Sequence, residues 1–525
     1  MSRPAKTLWI HALLISVLLG VAATAEGQTA SSDWATVTPD SVGMDSELLE
    51  LMRSVIDESG LPVDGLVVVR NGQIAFEHYP NAYMYDADEM HILYSTTKSV
   101  TSILIGIAID HGFIGSVDDR VVDYFQDLEI ENLDDRKERM TIEHLLTMTS
   151  GLEWEGPDDM HHSWGQALRS GNPWHYTLNQ PMSHEPGEHF LYNGGCSHLL
   201  SAILTRASGM STWRFARDYL FAPLGIQRFV WPVDPTGIYY GGQDIWLTPR
   251  DMARLGQLFL DDGLWNGERI VSESWVDASS QPLVDNGSAE YGYGYQWWVL
   301  PEGTIYKAWG ALDQHIFVVP DLDVVVAVTS DNQVPNQAPG ELREGILLGD
   351  WLLSRFIMPA CDDYEPFAYA DHGVVAEFPR AVASRVRGID PGDSISSSAG
   401  LLKGYHPYSP FEIVRLQWEE TPSSNSEEAA EGYVQLLRDV WGPAAVSTTD
   451  LGAGEVDGHP AVLLGYRVDV PPIAVHEGAI AAWYCQESGR QFVATSGIEG
   501  LPNPSDLLDP VEDLKAFLST VDCHP

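Results

Sequence analysis

The chain has 525 residues, 44% of them hydrophobic and 20% charged, enough to bury more than one core. Asp and Glu number 75 against 29 Lys and Arg, a formal net charge of -46, and so negative a field repels nucleic acid and anionic membrane surfaces. The same acidity suits either a surface kept soluble by self-repulsion or a salty habitat that screens the repulsion.

Residues 1–25 read as an export signal. Arg3 and Lys6 make a positive start, Leu8 to Val21 is an apolar run too short for a comfortable span, and Ala23-Thr24-Ala25 is an Ala-x-Ala cleavage site. Cleavage after Ala25 predicts an exported protein, periplasmic or extracellular. No later stretch reaches the roughly 18 apolar residues of a membrane span. Residues 26–42 are a loose lead-in. Ser46 to Glu58 has the pattern of a helix and is followed by Gly60. Leu66–Arg70 and Gln73–Glu77 flank Asn71-Gly72, a strong hairpin signal.

The stretch from His91 to Gly112 carries the chemistry. From Ser95 it is apolar on nearly every side, which predicts a buried helix stopped by Gly112. Ser95 and Lys98 are three apart and share a face of the first turn. Burial is costly for an ammonium and favours its neutral form. A neutral lysine can take the proton of a serine hydroxyl and so activate a weak nucleophile. The helix start also offers N–H groups to a developing oxyanion.

Thr141 to Leu152 predicts a short helix with a threonine cap and a stop at Gly151. Pro186-Gly187 marks a turn, Ser197 to Ala207 a helix, and Thr248-Pro249 opens another that runs to Leu260. His184-Glu185-Pro186-Gly187-Glu188-His189 is not a zinc helix, because Pro-Gly breaks the face that would align two ligands; no metal is expected. Past residue 290 the period changes to short strands: Tyr295–Leu300, Tyr306–Trp309, His315–Val319 and Asp323–Thr329. An apolar-faced helix follows, Glu341–Phe356. These elements predict an α+β fold. The early hairpin and late strands make an antiparallel sheet, the first and last helices cover it, and a site falls at the seam with the helical middle.

From about 365 the chain starts again. Strands, a helix at Glu427–Val440 and another from Asp509-Pro510 to Thr520 suggest a separate α+β domain, 365–525. Of four cysteines, Cys485 and Cys523 lie in this region and are expected to pair, as an exported protein allows; Cys196 and Cys361 are left unpaired.

Several segments then stand in a telling order: Tyr94-Ser95-Thr96-Thr97-Lys98-Ser99, Leu145–Leu152, Tyr192 after Pro186-Gly187, Thr248–Arg254, Tyr291-Gly292-Tyr293-Gly294 and Trp309-Gly310. Together they resemble the β-lactamase-related serine hydrolases. That group includes class C β-lactamases, D-Ala-D-Ala carboxypeptidases, family VIII esterases and 6-aminohexanoate-dimer hydrolases. The stretches at 145–152 and 248–263 look most like the last two. The resemblance spans about residues 40–357 and is silent on 365–525. It implies a β-lactamase/transpeptidase-like domain over 43–360, with no cofactor and a small-molecule ester or amide as substrate. Ser95 would be the nucleophile, Lys98 its proton acceptor, and Tyr192 would share the base role and protonate the leaving group. The N–H groups of Ser95 and Ala311 would make the oxyanion hole, behind Trp309 and a bare Gly310 that lets a carbonyl approach.

There are departures. The family's β-lactamases carry Tyr-x-Asn, whereas here Gly194 holds the Asn place and Asn193 comes one residue early. Their Lys-Thr-Gly reads Ala308-Trp309-Gly310, and Lys307 is one place off, on the other face of a strand. Both changes suit a neutral ester or amide better than a β-lactam or a D-Ala-D-Ala peptide, whose carboxylate needs a cation. Trp154, Trp164, Trp174, Trp297, Trp298 and Trp309 are candidates to line an apolar acyl pocket. The alternatives are a β-lactamase or D-Ala-D-Ala carboxypeptidase, and a binding protein that keeps the scaffold without the chemistry.

Overall fold

Two successive left-handed residues, Asn71 (φ 52°) and Gly72 (φ 69°), turn the chain between β1 (Val63–Arg70) and β2 (Gln73–His78). Positive φ at both central positions is what a type I′ hairpin turn requires. The computed structural model describes residues 34–156, 162–286, 291–300, 305–331 and 347–361, and beyond them the strands, a helix and a few flanking residues between 368 and 521. The chain divides at Trp34, and the elements lie in the unit Ala35–Pro525. The export signal, the first part of the lead-in and Cys523 lie outside the described residues.

Six later strands complete the first sheet: β3 (Val284–Asp285), β4 (Gly292–Tyr293), β5 (Trp298–Val299), β6 (Tyr306–Gly310), β7 (Gln314–Val319) and β8 (Val324–Ser330). The order is β2-β1-β8-β7-β6-β5-β4-β3, with antiparallel pairing throughout. β1 meets β8, Val67 opposite Ala327, so the beginning and end of the domain close on each other. β1, β7 and β8 are buried along their whole length, as strands covered on both faces must be.

The helices that position the site are α1 (Ser46–Ser59), α2 (Thr97–Asp110), α3 (Ile142–Leu146), α4 (Gly194–Ser208), α5 (Pro249–Leu260) and α6 (Leu348–Leu352), which runs into a π-helical turn at Leu353–Ile357. Leu49, Met52 and Ile56 of α1 share one core with Val68, Val326 and Leu352. On the other face α5 lies against β8 and β7, where a Cβ on Gly256 would strike Val325 and Ile316. Among the described residues no helix is long and apolar enough to cross a membrane.

Several elements differ from their predicted extents. A 3-10 turn, Tyr94–Thr96, precedes α2, so Ser95 stands just outside the α-helix. α3 ends at Leu146 rather than Leu152, because Met148 (φ 59°) turns left-handed before Gly151 does. α4 begins at Gly194 rather than Ser197, because the Asn193 side chain accepts from Cys196 N and caps it. The strand expected from Tyr295 shrinks to β5, since Gln296 has φ 65°. The two-residue strands β3 and β4 are too short to leave a periodic signal. Of the predicted helix 341–356, residues 341–346 lie outside the described part.

A second sheet is built from β9 (Ala399–Tyr405), β10 (Glu412–Glu420), β11 (Val446–Val456), β12 (His459–Val470), β13 (Ala474–Cys485) and β14 (Arg490–Glu499), in the order β9-β10-β14-β13-β12-β11. α7 (Ser426–Trp441) packs on it through Ala430 and Val434, against Val446, Tyr466, Ile480 and Ala482. Of the helix predicted at 509–520, Leu514 and Leu518 are helical and buried, and the rest lies outside the described residues.

Candidate active site

The Ser95 turn is held on two sides by distant parts of the chain. Tyr94 has φ 44°, a left-handed conformation that costs a non-glycine residue about 1 kcal/mol or more. Its carbonyl accepts from Thr97 Oγ1 at 2.6 Å and from Asp244 N at 3.2 Å, contacts that hold it there. On the other side Thr96 Oγ1 donates to Gln314 O at 3.0 Å. A Cβ on Gly310 would overlap the Leu93 carbonyl oxygen and lie 3.0 Å from Thr96 Oγ1. The end of β6 can therefore back onto the Ser95 turn only as glycine.

Lys98 points from α2 into this enclosure and is 2% exposed. Its Nζ lies 2.9 Å from Ser95 Oγ and 2.9 Å from Gly242 O. It also stands 4.7 Å from the centre of the Tyr192 ring. Ser95 and Tyr192 are both half-buried. Tyr192 immediately precedes Asn193, so the cap of α4 fixes where its ring begins. That ring stacks on Trp298 at 5.9 Å, and Trp298 meets Trp309 at 5.3 Å. Ala311 follows Gly310 on an exposed turn continued by Leu312 (φ 59°) and Asp313 (φ 60°). Thus the structure gathers Ser95, Lys98 and Tyr192 into one cluster and backs Gly310 against it, with half-buried Trp309 beside and Ala311 at the turn.

The aromatic expectation narrows. Trp154, Trp164, Trp174 and Trp297 are core side chains, at most 8% exposed, which leaves Trp298 and Trp309 to face the site. Lys307 is 1% exposed, with Nζ 2.7 Å from both oxygens of Asp350 on α6. It also lies over the rings of Tyr291 (4.4 Å) and Trp309 (5.1 Å). Its charge is spent inside the sheet–helix core. Burial pushes the Asp244 carboxyl above the usual carboxylate range, while Lys98 and a bond from Gln243 pull the other way. His184 and His189 stack at 4.5 Å on the exposed surface.

Two site features escape sequence reasoning. Gly241-Gly242 looks like any flexible turn, yet Gly242 supplies the carbonyl under Lys98. Gln296, 1% exposed, ties three helices together. Its carbonyl accepts from Ser99 Oγ (2.7 Å), its Oε1 from Ser197 Oγ (2.6 Å), and its Nε2 donates to Leu145 O (3.0 Å). Buried amides of this kind carry no local motif.

Residues 48–350 match the family described as Beta-lactamase. Over 307 residues the chain is 26% identical to a 6-aminohexanoate-dimer hydrolase of Paenarthrobacter ureafaciens, covering 54% of this chain and 77% of that one. The solved octameric penicillin-binding protein homologue from Pyrococcus abyssi is similar over 85% of this chain and 99% of its own, at 15% identity and a TM-score of 0.46. A family VIII carboxylesterase is similar over 55% and 91%, at 13% identity and a TM-score of 0.46. With the match over residues 48–350 taking in more than half its length, the chain belongs to the Beta-lactamase family of serine hydrolases.

Proposed function

We propose that this protein is an exported serine hydrolase that cleaves a neutral ester or amide through an acyl-enzyme on Ser95. The observation that carries the reading is the 2.9 Å hydrogen bond between a buried Lys98 Nζ and Ser95 Oγ. As Oγ bonds to the substrate carbonyl carbon, its proton passes to Lys98 and the carbonyl electron pair moves onto oxygen. The N–H groups of Ser95 and Ala311 receive that charge. Tyr192, whose ring lies against Lys98, shares the proton and returns it to the leaving group; water then releases the acyl group by the reverse steps.

The preference for neutral substrates rests on Lys307, which Asp350 engages inside the core. A lactam or peptide carboxylate meets no lysine at the place where the family's β-lactamases put one. The similarity to a 6-aminohexanoate-dimer hydrolase makes short linear amides the first amides to try. Residues 43–360 would house this chemistry, with 365–525 as a separate domain.

The test is hydrolysis of a chromogenic short-chain ester by the wild type, Ser95→Ala and Lys98→Met. Both variants should be inactive while folded, and a fluorophosphonate should label the wild type at Ser95. Hydrolysis that survives Ser95→Ala ends the proposal. Turnover of nitrocefin or a D-Ala-D-Ala peptide in preference to esters would move the assignment to the β-lactamase or carboxypeptidase branch.

A further inference from the structure

Behind Lys98 lies a buried pair that the reaction as described does not use. His198, on α4, and Asp234 both have side chains that are 0% exposed. His198 Nε2 is 3.1 Å from Asp234 Oδ2, and Gly241 N–H donates to His198 Nδ1 at 3.4 Å. An amide can only donate, so Nδ1 bears the lone pair and Nε2 the proton. Asp234 therefore accepts from His198, and also from Thr236 N (2.7 Å), Thr236 Oγ1 (2.7 Å) and Ile238 N (3.0 Å). Burial pushes its carboxyl up, but the bonds from His198, Thr236 and Ile238 outweigh that and hold it below the usual range. The titratable groups that face the His198 ring are Asp234 and Tyr240, the latter at 5.2 Å; Trp164 walls it at 6.0 Å.

The Gly241-Gly242 turn connects this pair to the site. Its two carbonyls accept from Thr101 Oγ1 (2.7 Å) and Lys98 Nζ (2.9 Å), side chains three apart on one face of α2. A methyl on Gly241 would overlap the Ser197 carbonyl oxygen, and one on Gly242 would sit 2.8 Å from Gly194 O. The turn is thus pressed onto the backbone of α4, the helix that carries His198 and follows Tyr192.

We propose that His198 and Asp234 are positioning residues for hydrolysis: through Gly241-Gly242 they hold the Gly242 carbonyl against Lys98 Nζ and so aim the lysine at Ser95. An amine that donates to a fixed carbonyl has its lone pair fixed too, and proton transfer from Ser95 depends on that direction. The inference rests on the reading of Lys98 as proton acceptor.

Asp234→Asn tests it. The new amide nitrogen donates where the carboxylate accepted, so His198 must accept at Nε2 and carry its proton on Nδ1, facing the Gly241 N–H. The bond to the turn is lost and the packing is kept. With a short-chain ester, kcat should fall on the order of 10- to 100-fold, with KM within about threefold of wild type. The acid limb of kcat/KM should move to lower pH, since the ammonium has lost a carbonyl that favoured it. His198→Gln, which can donate to Asp234 and accept from Gly241, should keep more activity than His198→Phe. A wild-type rate and pH profile in Asp234→Asn, or equal losses in the Gln and Phe variants, overturns the proposal. If Asp234→Asn does not fold, the comparison of the two His198 variants decides. Hydrolysis that persists in Ser95→Ala is a different failure and removes the lysine reading itself.

Discussion

Gly310→Ala is the most informative single change, because one methyl group acts on the proposed charge-stabilising wall without touching Ser95 or Lys98. The added Cβ would overlap the Leu93 carbonyl oxygen and crowd Thr96 Oγ1 at 3.0 Å. A carbon and a carbonyl oxygen settle at roughly 3.3 Å or more, so the end of β6 must retreat by about 1 Å from the Ser95 turn. Ala311 N–H retreats with it. Overpacking of this kind costs roughly 1–3 kcal/mol of stability. A 1 Å misplacement of a reacting or stabilising group costs about 10²-fold in rate, or close to 2.7 kcal/mol of barrier. The loss should fall on kcat, because an oxyanion donor acts on the transition state more than on bound substrate. Burst-phase kinetics with a nitrophenyl ester separate acylation from deacylation, and both steps should slow. A fully folded Gly310→Ala enzyme with wild-type kcat would show that this wall plays no part in charge stabilisation.

Other outcomes follow from the same geometry. Lys307→Met strands the Asp350 carboxylate in the core and should cost roughly 3–5 kcal/mol in chemical denaturation, while Lys307→Met with Asp350→Leu recovers much of it; rate per folded molecule should hold, and its collapse would mean Lys307 reaches substrate. Burial, with the Asp331 carboxylate nearby, raises Asp64 to about 6, from a value of 3.8 that the unfolded chain keeps. The fold therefore carries a charge penalty above pH 6 that disappears below pH 4, where both states are protonated. His91, 3.8 Å away and held down to about 4 by burial, is neutral at the pH values where Asp64 ionises and does not offset the penalty. Asp64→Asn should thus gain about 3 kcal/mol at pH 7.5 and little at pH 4, and an equal gain at both values would refute the assignment. A neutral ester should exceed the matching free-acid substrate by at least about tenfold in kcat/KM, and a preference for the acid would count against Lys307 as a spent charge.

How much of this was legible beforehand depends on whether the signal is local. Asn71-Gly72 announces its turn because the required φ values exclude most other residues. Ser95 and Lys98 announce themselves because three-residue spacing fixes a shared helix face. Thr248-Pro249 does the same for the start of α5, where the Thr248 side chain accepts from Asp251 N. What stayed hidden depends on partners far along the chain. Lys307 looked merely displaced by one position until Asp350, 43 residues on, proved to hold it. Asn193 looked like the motif asparagine come one residue early, and its side chain is the cap of α4. Gly241-Gly242 and Gln296 matter for what they touch, and nothing in their neighbours' identities reveals that.

The clasps on the Ser95 turn come from far away: Gln314 is 218 residues beyond Thr96, and Gly242 is 144 beyond Lys98. Closing such loops is entropically slow compared with winding α2. A half-made molecule with its helices in place still lacks both the surface beneath the amine and the strand end behind the hydroxyl. Competence is therefore switched on late during maturation: in refolding, circular dichroism should recover ahead of esterase activity, and the unfinished chain stays inert toward the bonds it will later break.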